Sequence, residues 1–315
     1  MRITTFGTRG SLPVANPASV NYGGNTTCAR VESDCLPTGT ILCLDAGSGF
    51  QPLAMSVISF AKEYVILHSH YHHDHTQGML IAPPIYLDNI PMQIFGPLEK
   101  GMGPREVYET IMQPPLHPVP LALHAHHVSF HPIKLPTVKV IIIHPDGGLK
   151  VMDIEQYRRL VKDGRQLPFK SGSSFPESEC LVITMHYTEH PERTIAYRFD
   201  EKPTGRVFVF LTDEECRYDL PKDLCQFLQN ADLLIEDAQY SEELYRTRTA
   251  GYGHGTPQYA VYVALKCGVK WLGLTHHNPS STDDDIEKLV ADGKKAAGDK
   301  PLALFACRDY QVIEL

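Results

Sequence analysis

The chain of 315 residues has no Cys-x-x-Cys pair, no surplus of basic residues and no low-complexity tract. No apolar run approaches the roughly 18 residues a membrane span requires. Each absence removes a class of protein. The eight cysteines (Cys28, Cys35, Cys43, Cys180, Cys216, Cys225, Cys267 and Cys307) are scattered, which reads as reduced thiols rather than a disulfide scaffold or a thiolate metal site. Residues 1–10 lack the apolar core of a secretory leader, so a cytoplasmic protein with no membrane association is expected. Lysine and arginine number 29 against 37 acidic residues, a net charge of −8, and no basic cluster reaches five in a row. Without a basic face, a long nucleic acid is disfavoured as the partner, whereas a small charged substrate met by a local cationic site is allowed. With 43% hydrophobic and 21% charged residues the composition is that of a folded domain, long enough to bury a large core.

Periodicity and turn residues divide the chain into alternating elements. Strands are expected at 1–6, 26–32, 40–44, 64–67, 93–95, 138–143, 180–185, 194–199, 206–211, 233–236 and 270–274. Helices are expected at 51–62, 104–112, 153–163, 221–229 and 283–295, with another beginning near 76. Thr256 and Pro257 read as N-cap and first helical residue, and Gly268 as the C-terminal cap, of one more helix. A Gly- and Pro-rich loop follows the first strand, and residues 97–136 read as a Pro- and His-rich covering segment. Residues 1–315 are expected to form one domain, with about 137–179 as an insertion or lid. Within 137–179, residues 166–179 read as a loop or flap. Each half runs as strands, then polar residues at strand ends, then helix, which permits a duplicated sandwich.

What is abundant is histidine, 16 residues, five of them (His68, His70, His72, His73 and His75) within eight positions. They follow the short apolar run 64–67, so they stand at the C-terminal end of a buried strand, where α/β sheets place their sites. On a tight loop, His70 and His72 can face one metal ion, and Asp74 and His75 a second. Imidazole and carboxylate without thiolate suit zinc, manganese or iron. A surface histidine tract is the bland alternative, but such a tract needs neither an apolar strand before it nor an embedded aspartate.

His70-x-His72-x-Asp74-His75 resembles the signature of the metallo-β-lactamase superfamily. Other segments agree in order: Leu44-Asp45-Ala46-Gly47-Ser48-Gly49, His190-Pro191 before Ala196-Tyr197-Arg198, Phe210-Leu211-Thr212-Asp213 and Leu274-Thr275-His276. The stretch Gly253-His254-Gly255-Thr256, then Gly268-Val269-Lys270, is similar to the phosphodiesterase-like branch related to ribonuclease Z. The resemblance covers nearly all of the chain outside about 100–180. It implies an α/β (α+β) fold, a four-layer αββα sandwich. It also implies two divalent ions, zinc first and manganese or iron as alternatives. His70, His72 and His190 would hold one, Asp74, His75 and His276 the other, and Asp213 would bridge them. Asp45 would orient the loop or a ligand imidazole, and His254 would be the general acid; Asp74 and Asp45 join it as catalytic-site residues. His186 competes with His190, His277 with His276, and Glu214 and Glu215 with Asp213. Asp237 reads as structural. The group His124, His126, His127 and His131 reads equally as a solvated loop or a pocket wall. Arg9 lies in Gly7-Thr8-Arg9-Gly10-Ser11, which is no P-loop, yet could reach a phosphate.

Such a site implies hydrolysis through a hydroxide shared by two ions, with a phosphodiester gaining most from two cations. His190 and Asp213 are separated by 22 residues, 191–212, too few for the long arm that tRNA-processing relatives carry there. The expected substrate is therefore a small or cyclic phosphodiester. An acyl hydrolase (lactonase, thioesterase or β-lactamase-like) on the same site and a non-catalytic metal scaffold are the alternatives. A homodimer is admitted.

Overall fold

The computed structural model describes residues 1–134, 136–170 and 172–315. Two large mixed sheets face each other, and helices cover their outer faces. The first sheet holds β1 (Arg2–Gly7), β2 (Cys28–Glu32), β3 (Thr40–Leu44), β4 (Glu63–Leu67), β5 (Met92–Pro97) and β6 (Val128–Ile133). The second holds β7 (Lys139–His144), β8 (Gly148–Asp153), β11 (Leu181–Glu189), β12 (Arg193–Glu201), β13 (Arg206–Leu211), β14 (Leu233–Asp237), β15 (Trp271–Thr275) and β16 (Ala303–Ala306). A ribbon of β9 (Leu167–Pro168) and β10 (Ser174–Phe175) stands apart, and the last strand, β17 (Gln311–Glu314), returns to the first sheet. The strand orders are β17-β1-β2-β3-β4-β5-β6 and β16-β15-β14-β13-β12-β11-β7-β8.

Strand alternation explains the layering. Val65 and Leu67 of β4, with Leu42 of β3, face the second sheet, where Phe208 and Phe210 of β13 join them with Tyr197, Phe199 and Ile235. Their neighbours Tyr64 and Ile66 turn outward onto α1 (Phe50–Val57) and α3 (Pro104–Ile111). Val209 and Leu211 turn outward onto α5 (Lys222–Leu228), α7 (Pro257–Cys267) and α8 (Asp283–Ala297). Strands buried on both faces read as continuous apolar runs, which is why YVIL and RVFVFL carry no polar alternation. The result is the expected four layers.

The segment 137–179 is built onto the second sheet. β7 pairs with β11 (Ile141↔Ile183, Ile143↔Leu181) and β8 with β7. Beneath α4 (Ile154–Lys162), Val140, Ile142, Leu167, Phe169 and Val182 share a small core. One helix begins earlier than the sequence suggests. Residues His73–Thr76 already form a one-turn helix, α2, so two of the clustered residues sit on helix rather than loop. No helix among the described residues is long and apolar enough to cross a membrane.

β3, β4 and β5 run parallel, as do β13, β14, β15 and β16. Parallel neighbours end together, so the residues that follow these strands gather at one rim.

Candidate metal centre

Three residues at that rim turn the chain sharply. Asp45 after β3, Asp213 after β13 and His276 after β15 have φ of +55°, +54° and +60°. Left-handed backbone is uncommon outside glycine, and clusters of it mark sites where surrounding structure holds the strain.

Asp45 is fully buried and organises the histidine loop. Its carboxylate accepts from the Ser69 amide and hydroxyl, both at 2.8 Å, and from His75 Nδ1 at 2.9 Å. His75 Nδ1 thus carries the proton and Nε2 turns to the rim. There Nε2 lies 3.3 Å from His276 Nε2, 3.3 Å from Asp213 Oδ1 and 3.5 Å from Asp74 Oδ2. Asp74 Oδ2 is 3.1 Å from His276 Nε2 and accepts from the Ser11 amide at 2.6 Å. On the other side of Asp213, His70 Nε2 and His190 Nε2 lie 3.6 and 3.8 Å from Oδ2. Two donor sets therefore meet: His70, His72, His190 and Asp213, and Asp74, His75 and His276. Within each, the ligand atoms lie within 4.8 Å of one another, and Asp213 reaches both.

The tautomers show what these sets fit. His190 Nδ1 donates to the Gly253 carbonyl at 2.7 Å, and His72 Nε2 donates to Glu192 at 2.7 Å. Each ring is left with a lone pair on its other nitrogen, and those two nitrogens face each other at 3.3 Å. His70 Nε2 is buried with no hydrogen-bond partner. Lone pairs converging on one point, with His70 and His190 buried behind the half-exposed His72, are unfavourable unless a cation lies between them. With nitrogen and carboxylate donors on both sides, the arrangement suits two divalent cations.

Charge balance agrees. Burial alone would raise the carboxyls, but the facing histidines outweigh it and hold Asp213 and Asp74 well below the carboxylate range. Burial opposes charge on His75 and His276, yet the carboxylates around them push both up, His276 to about 9. His70 and His190 go the other way, kept neutral first by burial. In the bare protein, protons on His75 and His276 offset the anionic cluster; a divalent ion would displace them.

His254 lies beside this centre, its ring centroid 4.8 Å from that of His276 and 5.1 Å from that of His190. Its Nδ1 donates to Asp237 Oδ2 at 2.7 Å, leaving Nε2 to the cleft. The cleft, about 350 Å³, is lined by Ser11, Tyr71, His72, His73, Asp74, Asp213, His254 and His276. The structure brings all the expected residues together: His70, His72, Asp74, His75, His190, Asp213, His254 and His276, with Asp45 behind them. The rivals lie elsewhere. His186 points to Asp223 at 3.4 Å and His277 to the Cys307 carbonyl at 2.8 Å. Glu215 accepts from the Gly253 amide at 2.7 Å, and Glu214 is buried. Arg9 is fully buried and donates to the carbonyls of Gly23, Asn278 and Ser281, so it clamps loops rather than facing the cleft. Asp237, read from the sequence as structural, ends β14 between β13 and β15, whose ends supply Asp213 and His276, and there it holds the His254 ring.

No protein-family profile matches the chain. Among curated proteins, Ribonuclease Z of Methanosarcina acetivorans is 26% identical, covering 94% of this chain and 93% of its own length. Ribonuclease Z of Picrophilus torridus is 25% identical, covering 96% and 93%. Human tRNase Z, short form, superposes with a TM-score of 0.60 at 20% identity over 100% of this chain and 99% of that one. A diphosphatase from the PhnP family gives 0.63 at 16% identity, covering 100% and 97%. These relatives overturn the expectation that a long nucleic acid is disfavoured, since proteins alike along nearly their whole length are ribonucleases. The physical reason is that net charge is a sum over the whole surface and does not describe the charge around one cleft. The 22-residue spacing, likewise, describes only β12, β13 and their turn.

Proposed function

We propose that the chain is a metal-dependent hydrolase of the metallo-β-lactamase superfamily, related to ribonuclease Z, and that it cleaves phosphodiester bonds at this cleft. The carrying observation is the meeting of two His/Asp donor sets on one shared aspartate, with a carboxylate-held histidine beside them. His70, His72 and His190 would hold one ion, and Asp74, His75 and His276 the second, with Asp213 between. Zinc is the first choice, with manganese or iron compatible with the same donors. Bound there, the two ions would lower the pKa of water and offset charge on the phosphoryl oxygens.

The chain's own groups supply the rest. Asp45 holds His75 in the tautomer that keeps Nε2 facing the rim. Gly253 and Glu192 do the same for His190 and His72. Asp237 fixes the His254 ring through Nδ1–H, and the imidazolium form, which carries a second proton on Nε2, gives that proton to the leaving oxygen as the P–O bond breaks and is left as neutral imidazole.

RNA is the substrate that the ribonuclease Z relatives suggest. A small or cyclic phosphodiester is the second reading, since two cations at this centre would serve any phosphodiester. The test is a panel on the metal-loaded protein: a precursor tRNA, a 2′,3′-cyclic nucleotide, bis(p-nitrophenyl) phosphate and an acyl ester. Cleavage of at least one phosphodiester, abolished by chelation, is expected. Turnover of the ester alone, or no turnover with zinc, manganese or iron, would overturn the proposal.

A further inference from the structure

The histidine group at 124–131 is not absorbed by the centre above, and the fold splits it. His131 stacks on Phe95 with ring centroids 4.3 Å apart, and His124 packs edge-on against Tyr86. His126 and His127 instead end the short turn Ala125–His127 and face Asp88, just past the turn Pro83–Tyr86. His126 Nε2 lies 3.3 Å and His127 Nδ1 3.8 Å from Asp88 Oδ1. The three ligand atoms all lie within 4.8 Å of one another.

We propose that Asp88, His126 and His127 form a further divalent-cation site, zinc-type, that ties the 83–90 loop to the 121–127 loop. The state of His127 carries the argument. Its side chain is 4% exposed. Its Nε2 donates to the Pro84 carbonyl at 3.1 Å, so in the neutral ring the proton is on Nε2 and Nδ1 presents a lone pair. That Nδ1 is buried and has no hydrogen-bond partner. A lone pair aimed at a carboxylate is repulsive unless a cation stands between them, and a backbone carbonyl on the far nitrogen is the usual way a metal-binding imidazole is oriented. Tetrahedral zinc with bonds of about 2.0–2.1 Å places neighbouring ligand atoms roughly 3.3 Å apart. The His126 distance of 3.3 Å matches, and the His127 distance is 3.8 Å. Two imidazoles and one carboxylate favour zinc, nickel or copper over magnesium or calcium. His126 and Asp88 have side chains 62% and 61% exposed, so the fourth position opens to water. An ion pair of Asp88 with His126 and a protonated His127 is the competing account, but 3.8 Å is too long for an Nδ1–H···O hydrogen bond to satisfy the buried His127 nitrogen.

The test is zinc content of the full chain, saturated with zinc, desalted and measured by elemental mass spectrometry. Wild type is compared with His126→Gln and Asp88→Asn, both at exposed positions. The expected result is one zinc per chain fewer in each variant, with unchanged cleavage of the phosphodiester probe and a smaller zinc-induced rise in melting temperature. Equal zinc content in wild type and both variants would overturn the proposal and leave only an ion pair. The readout is a difference between proteins with the same main centre, so it stands or falls independently of that centre's stoichiometry or activity.

Discussion

At the scale of single residues, function here depends on which nitrogen of each imidazole is occupied. Asp45, Glu192, Gly253 and Asp237 each take one ring N–H, from His75, His72, His190 and His254. The other nitrogen is thereby committed to the cleft. A general acid typically contributes 10²–10⁴-fold, so His254→Ala should lower kcat by about that factor on a phosphodiester with a poor leaving group. The loss should be much smaller on a p-nitrophenyl ester, whose leaving group needs no proton. Asp237→Asn should cost roughly 10–100-fold on the poor leaving group while zinc content stays the same. Equal losses across leaving groups would show that His254 is not the acid. Sequence motifs brought these histidines into view, but not the carboxylate behind His254, because Asp237 belongs to no local pattern and acquires its role only from its neighbours in the sheet.

At the scale of elements, the loop before α7 does two tasks at once: it accepts the His190 proton and presents His254. Gly253 makes this fit. Its φ is +86°, and a Cβ there would stand 2.0 Å from His190 Nδ1. Gly253→Ala should displace His190, weakening the His70/His72/His190 site by about 10–100-fold in metal affinity with the circular dichroism spectrum unchanged. Metal titration would check this; unaltered affinity would mean the loop can yield without moving His190. Strands such as β4 and β13 were legible from composition and length, and α7 from its Thr256 cap and Gly268 stop, both of which the structure contains. The one-turn helix at His73 was not legible, since four residues carry no periodicity. The sheet extension by β7 and β8 depends on pairing with β11, distant in sequence.

At the scale of the whole molecule, stability should report on the buried polar groups at the rim. Burial lowers the His277 pKa to about 4, against about 6.5 in an unfolded chain. Between those values the unfolded state binds a proton that the folded state refuses. Stability is therefore fully present above about pH 6.5 and falls as the pH drops toward 4. At about 1.4 kcal/mol per pKa unit, this one group accounts for roughly 3 kcal/mol. Chelator-treated His277→Asn should show a shallower loss across that window in urea titrations than the chelator-treated wild type; parallel curves would count against the assignment. Metal removal acts in the same direction. An ion that binds only the folded state at 100 times its Kd adds about 2.7 kcal/mol, so chelation should lower the melting temperature and added zinc should restore it.

The charge count is where whole-chain arithmetic misled, because a sum of −8 says nothing of the field at one rim. The sequence by itself determined the apolar strands and the dense His/Asp motif at 68–75, since these are local signals that survive without coordinates; the layered sandwich and the distant candidates His190, Asp213 and His276 came from the family resemblance that the motifs carry. Only the tertiary structure decided which nitrogen of each ring faces the cleft, that Asp237 holds His254, and that His126 and His127 meet Asp88. Those facts are distances between segments far apart in the chain, and covalent order does not encode them until the two sheets pack.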